Sequence, residues 1–352
     1  MTTRPDFGTR LRAAMDQYGP LCVGIDPHAS LLAKWGLPDD VTGLREFSFT
    51  VLDALGGKVA AVKPQAAFFE RFGSAGMAVL EDIISYSRDL GTLCIVDAKR
   101  GDIGSTMEGY ASAFLREGSP LAGDAVTLSP YLGFGSLKPA IDTAIENGRG
   151  VFVLCLTSNP EGATVQHAFN PAANQTVAAQ IATEAAAINS AYLSANRSRH
   201  SAQGADAPQT QNLQRSQSSS WQREPQIGPF TIRPRRSERW SLDGAWPAVG
   251  ANETPVRLAP SLGPVGLVVG ATIGDAAAST GTDLAAVNGP FLAPGVGAQG
   301  GGAAELRQVF GDARRNVLAS SSREILNAGP NKADLLTAAL KAVDQAAQAL
   351  NS

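Results

Sequence analysis

The chain has 352 residues but only three cysteines and three histidines. Cys22, Cys94 and Cys155 are far apart, form no C-x-x-C pair, and each lies inside an apolar run. That pattern reads as small core side chains, not as a disulfide framework or a structural zinc site. His28, His167 and His200 share no metal-ligand spacing, so no metal is expected. No apolar run approaches the roughly 20 residues of a membrane span. The N-terminal stretch carrying Arg4, Arg10 and Arg12 lacks the apolar core of a secretory signal. These absences predict a cytoplasmic protein with no membrane partner. An excess of one charge is also missing. Lys plus Arg number 29 against 32 Asp plus Glu, so nothing draws the whole surface toward nucleic acid. No nucleophile elbow and no Ser/His/Asp arrangement is visible.

What the sequence does contain is a rhythm. Short apolar runs recur at Leu21–Asp26, Ala60–Gln65, Thr92–Lys99, Ala125–Pro130, Val151–Ser158, Val265–Thr272, Phe291–Gly295 and Asn316–Ser322. Most lack polar alternation, as expected of strands buried on both faces. Helical spacing fills the intervals, for example at Met77–Leu90, Leu137–Asn147, Val177–Leu193 and Ala303–Phe310. Eight strand–helix units predict a (β/α)₈ (TIM) barrel. Its first five strands come from 1–194 and its last three from 261–352. Polar and special residues stand at the strand C-termini: Asp26, Lys63, Lys99, Ser158, Gly295 and Arg323. Barrels of this class build their active sites on that rim.

The segment 195–260, before the sixth strand, breaks the rhythm. It is rich in Ser, Gln and Pro, and has nine Arg, no Lys and three of the four tryptophans. Its composition reads as a disordered insertion on the face away from the strand C-termini. Interleaved Arg and Trp also fit a nucleic-acid or protein-binding arm, and a stretch of non-native coding sequence is a third reading.

The most informative stretch is Asp97-Ala98-Lys99-Arg100-Gly101-Asp102, which ends the apolar run Leu93–Val96. Along a regular strand residues i and i+2 face one way, so Asp97 and Lys99 are expected on one side. Charges gathered at a buried strand end need partners or a task. A structural ion pair and a catalytic charge cluster both meet that need. Asp26 and Lys63 at two further strand ends favour the second.

Phe291–Gly302 is a glycine-rich loop between a strand and a helix, suited to backbone N–H groups converging on an anion. Gly295–Gly300 matches G-x-G-x-x-G, but it follows the seventh run, and Arg323 ends the next one where a dinucleotide fold would have an acid. Gly295, Gly297, Gln299 and Arg323 therefore read as a phosphomonoester site, Arg323 forking onto the phosphate. A glycine-rich turn beside a surface Arg is the plainer alternative. Thr157-Ser158-Asn159-Pro160 offers either a hydroxyl for a polar ring edge or a helix N-cap or Asx-type turn before Pro160.

Taken together, Gly24-Ile25-Asp26-Pro27, Val62-Lys63-Pro64, the D-x-K-x-x-D of 97–102 and Pro294-Gly295-Val296-Gly297 with Gln299 and Arg323 resemble the orotidine 5′-phosphate decarboxylase family, in its longer bacterial branch. The resemblance covers 1–194 and 261–352. It implies decarboxylation of orotidine 5′-monophosphate to uridine 5′-monophosphate with no cofactor, in a homodimer with shared active sites. It further implies that Lys99 protonates C6, that Asp97 sits beside the substrate carboxylate, and that Asp102, with Thr106, reaches the partner's site. Lys63 and Asp26 would hold the ribose, Ser158 the pyrimidine, and Pro294, Gly295, Gln299 and Arg323 the phosphate end. Two other functions fit parts of the chain. One is a metal-dependent decarboxylase or aldolase acting on keto-sugar phosphates, whose superfamily shares the D-x-K-x-x-D. The other is a nucleic-acid-binding protein working through the insertion, which would leave the rim charges without a role.

Overall fold

The structure is a computed structural model and describes residues 4–205, 262–296 and 301–351. Eight strands form a closed parallel barrel: β1 (Leu21–Ile25), β2 (Ala61–Pro64), β3 (Leu93–Arg100), β4 (Ala125–Leu128), β5 (Gly150–Leu156), β6 (Val265–Val269), β7 (Phe291–Pro294) and β8 (Val317–Ser321). Neighbours in sequence are neighbours in space, and β1 pairs with β8 to close the ring. The expected runs all became strands; seven end before their last polar or special positions, whereas β3 runs one residue past Lys99 to Arg100.

Helices α1 (Phe7–Tyr18), α2 (Val41–Leu55), α3 (Gly73–Asp89), α4 (Gly104–Leu115), α5 (Lys138–Glu146), α6 (Val177–Ala205), α7 (Ala303–Phe310) and α8 (Lys332–Asn351) surround the barrel or close it. In α2, Asp40 caps the first turn by accepting from the N–H groups of Thr42 and Gly43. Its residues Leu44, Phe47, Val51 and Leu55 recur at helical spacing and are fully buried. The alternation is incomplete at one place. Between β6 and β7 stand only the four-residue helix Ala276–Ser279 and a 3₁₀ turn, Ala285–Val287. This short Ala- and Gly-rich stretch cannot supply a long apolar stripe.

Helix α6 continues to Ala205, past the expected boundary after residue 194. Ala195 through Ser198 carry no helix breaker, so local propensity extends the helix into the stretch assigned to the insertion. The remainder, from 206, falls outside the described residues until 262, and so does the question of its order.

Two apolar layers hold the barrel. One lies between strands and helices. The other fills the lumen with Cys22, Ala61, Ile95, Ala125, Phe152, Val268, Leu292 and Leu318. Helix α1 plugs the bottom of that lumen with Phe7, Leu11 and Met15. Phe7 meets Phe152 edge-on at 5.9 Å between centroids. Each such fully buried side chain contributes about 2 kcal/mol. Below the plug, Asp124 accepts from Arg4, Arg10 and the Cys94 N–H, fastening the N-terminal arm to β3 and β4.

Candidate active site

The lumen layer explains where the polar residues go. Alternate strand residues face the same side, so two steps above the apolar layer the lumen receives the next residue of each strand. Cys22 is followed by Gly24 and then Asp26, Ala61 by Lys63, Ile95 by Asp97, Ala125 by Thr127, and Leu318 by Ser320. One register lower these positions are apolar. At the C-terminal rim they become a charged and hydroxylated floor. Gly24 pairs with Lys63 across β1 and β2. A Cβ at Gly24 would come within 2.8 Å of both Asp26 Oδ2 and Ser322 Cβ, so only glycine leaves room there.

Four charged groups meet on this floor. Lys63 Nζ donates to Asp97 Oδ2 at 2.9 Å and lies 4.0 Å from Asp26 Oδ1. Lys99 Nζ donates to Asp97 Oδ1 at 2.6 Å. Acids and bases alternate in the order Asp26, Lys63, Asp97, Lys99, and the set is formally neutral. Burial alone would raise the Asp97 carboxyl. The ammonium groups of Lys63 and Lys99 outweigh burial and hold it at about 2. Burial alone would lower Lys63. Asp97 and Asp26 outweigh it, and the ammonium sits above the usual lysine range. The Cys22 thiol beneath is pushed up to about 12 by burial and stays neutral, which removes it as a nucleophile.

The expected reason for the Asp97–Lys99 pairing needs correction. The β3–β4 register shifts between Val96 and Arg100, and Lys99 has φ +48°, a left-handed conformation. The two side chains meet through this bulge and not through regular strand alternation. An L residue held there is strained, by about 1–2 kcal/mol. On the other face of the bulge Arg100 is held by Glu70 and by the Ala98 carbonyl. Its guanidinium lies 5.6 Å from the Tyr110 ring and 5.5 Å from that of Phe114.

Sequence reasoning missed three contributors. Thr127 Oγ1 donates to Asp97 Oδ1 at 2.8 Å and accepts from the Lys99 N–H at 2.9 Å. Gln65 Nε2 donates to the Asp97 carbonyl at 3.2 Å, and Gln65 Oε1 lies 3.5 Å from Lys99 Nζ. Ser322 Oγ donates to Asp26 Oδ2 at 2.6 Å. The other Asp26 oxygen, Oδ1, is buried with no hydrogen-bond partner. The register Ile95↔Ala125 would have exposed Thr127, because it sets Thr127 beside Asp97.

The remaining expected residues are distributed around this centre. Ser158 is exposed just past β5, beside Gly270 at the end of β6. The helix-cap alternative for its loop is not realised. Asn159 makes no side-chain cap and instead accepts from Thr157 Oγ1 at 2.7 Å. Pro294 ends β7 and its carbonyl accepts from Ala271 N–H at 2.9 Å. Gly295 follows with φ +92°, turning the chain into the loop, and its carbonyl accepts from Gly301 N–H at 3.0 Å. Gly297 and Gln299 lie outside the described residues. Arg323 is exposed at the start of the short helix after β8, on the same rim.

Two expected residues do not join the centre within one chain. Asp102 accepts from the Ile103 N–H at 2.8 Å and makes no ion pair among the described residues. Thr106 is exposed on the first turn of α4. Ile103, next to Asp102, is 62% exposed, and past β4 Tyr131 and Leu132 are 77% and 52% exposed.

Comparison with known proteins gives this arrangement a family. The model of the orotidine 5′-phosphate decarboxylase / HUMPS family matches residues 19–221, from β1 to beyond β5. The chain belongs to that family. The remaining part, with β6 to β8, is covered by relatives that match over nearly the whole chain. The orotidine 5′-phosphate decarboxylase of Salinispora arenicola is 49% identical over 333 residues, spanning 95% of this chain and 94% of its own. That of Streptomyces coelicolor is 47% identical over the same shares. Among crystal structures, a Streptomyces avermitilis protein provisionally given the same name is 46% identical, with a TM-score of 0.75 over 100% of this chain and 98% of its own. Family membership makes the chain an enzyme built on a (β/α)₈ barrel. Among its described residues no helix is long and apolar enough to cross a membrane.

Proposed function

We propose that the protein decarboxylates orotidine 5′-monophosphate to uridine 5′-monophosphate in pyrimidine biosynthesis, with Lys99 delivering a proton to C6. The observation that carries this reading is the alternating Asp26–Lys63–Asp97–Lys99 set on the barrel rim, in a chain 49% identical to a relative of that name. Breaking the C6–carboxylate bond releases CO₂ and leaves the electron pair on an sp² carbon with no electron sink. An ammonium aimed at that carbon stabilises the developing charge and then supplies the proton. Asp97 orients Lys99 for this through the 2.6 Å contact. In the same reading, the buried Asp26 Oδ1, which lacks a donor, accepts from a ribose hydroxyl alongside Lys63. Ser158 reads the pyrimidine edge. Pro294, Gly295, Gln299 and Arg323 receive the phosphate, whose binding energy is remote from the reacting carbon and can organise the charged floor.

The site functions as a dimer in this proposal. Asp102 makes no ion pair within its own chain among the described residues, Thr106 is exposed, and Ile103, Tyr131 and Leu132 are exposed large apolar side chains. A two-fold axis that buries these apolar side chains and carries each Asp102 to its neighbour's site completes the reading. The test is direct: incubate the enzyme with orotidine 5′-monophosphate and follow CO₂ release and uridine 5′-monophosphate formation, with and without EDTA. Turnover that survives EDTA supports the reading. Absence of turnover refutes it, and turnover that is lost in EDTA refutes its metal-free chemistry.

A further inference from the structure

Thr127 stands beneath the reacting groups and touches both, yet no part of the proposed chemistry uses it. Its hydroxyl works in two directions. It donates to Asp97 Oδ1, the oxygen that also receives Lys99 Nζ, and it accepts from the Lys99 backbone N–H. The residue is 1% exposed, so its hydroxyl is shut off from bulk water. The second bond has a cause in the backbone. The bulge between Val96 and Arg100 takes the Lys99 N–H out of the β3–β4 ladder, and Lys99 itself sits at φ +48°. A part-buried N–H outside the ladder is best satisfied by another acceptor, and a left-handed non-glycine residue persists only where its surroundings hold it. A position serving packing alone on a buried parallel strand would suit valine, which has nearly the volume of threonine and a high β propensity. The hydroxyl is the part of Thr127 that packing does not explain.

We infer that Thr127 is a positioning residue for Lys99. One hydroxyl ties the strained backbone of the proton donor to the carboxylate that pairs with its ammonium. Lys99 is 45% exposed along its side chain and has a long flexible stem, so fixing its root and its partner together defines where Nζ points. The inference rests on the reading that Lys99 and Asp97 carry the decarboxylation, and its test separates the two.

Steady-state kinetics on the parent, Thr127→Val, Thr127→Ala and Thr127→Ser provide that test. Parent turnover checks the functional reading. The variants then check Thr127. Removing the hydroxyl is expected to lower kcat about 30- to 100-fold, the scale of an ångström-sized misplacement, with KM changed less than about threefold. Thr127→Ser, smaller but hydroxylated, is expected within about threefold of the parent kcat. Thr127→Ala guards against a valine variant that fails to fold, since Ala and Ser are both smaller than Thr and differ in the hydroxyl. A second readout needs no turnover: the ¹³C-carboxyl titration of Asp97 is expected to move up in Thr127→Val and stay put in Thr127→Ser. A hydroxyl-free variant with kcat within twofold of the parent overturns the inference, as does a serine variant as impaired as alanine. If the parent itself is inactive on orotidine 5′-monophosphate, an unshifted Asp97 titration in Thr127→Val overturns it.

Discussion

Replacing Asp97 by asparagine keeps the side-chain volume and removes the charge that Lys63 and Lys99 share. The cost follows from the carboxyl's own titration. An unfolded Asp titrates near 3.8, whereas in the fold the two ammonium groups outweigh the burial cost and hold Asp97 at about 2. A folded-state pKa below the unfolded one means that the charged form stabilises the fold. That stabilisation is complete above the unfolded pKa and is lost as pH falls through the folded one. At about 1.4 kcal/mol per unit, the contribution is about 2 kcal/mol at neutral pH, falling to about half of that by pH 3. Asp97→Asn should therefore be less stable than the parent by about 2 kcal/mol at pH 7, with the gap closing as the parent's own carboxyl protonates. Urea titrations of both proteins between pH 7 and 3 read this directly. A gap near zero at pH 7, or one that stays constant down to pH 3, would refute the claim that Asp97 is held ionised by the two lysines.

Three further outcomes are expected. Lys99→Ala should abolish decarboxylation while uridine 5′-monophosphate still binds by calorimetry; residual turnover within about tenfold of the parent would remove Lys99 as the proton donor. Arg323→Ala should weaken nucleotide binding by about 2–5 kcal/mol and barely affect the nucleoside, and equal losses for the two would take Arg323 off the phosphate. Asp102→Ala and Lys99→Ala, each inactive alone, should recover activity toward half of parental in mixed dimers, because one site then carries both lesions and the other none. Verified mixed dimers that stay inactive would end the shared-site proposal.

Much of the architecture was legible because it depends on local pattern. Apolar runs of strand length, separated by helical spacing, reported eight strands buried on both faces, and the closed parallel ring follows from repeating that unit. The abrupt change from Val96 to Asp97, and from Val62 to Lys63, marked the rim, since buried charge is too costly to occur there without a partner or a task. What the pattern could not carry was position along the third dimension. Whether Lys99 met Asp97 by alternation or through a bulge depended on the β3–β4 register, a relation between residues about 30 apart. The same register brought Thr127 under both groups, and an ordinary Val-Thr-Leu strand gave no hint of it. Ser322 closing on Asp26, across 296 residues, was likewise invisible until β8 closed the barrel against β1.

The sequence by itself therefore determined the barrel, the rim on which its charges stand and the residue types of the site, because burial and periodicity act over a few residues at a time. The tertiary structure alone decided which oxygen each lysine meets, the left-handed turn at Lys99 and the hydroxyl of Ser322 on Asp26. Those are set by register, bulge and ring closure, which bring together groups the chain keeps far apart.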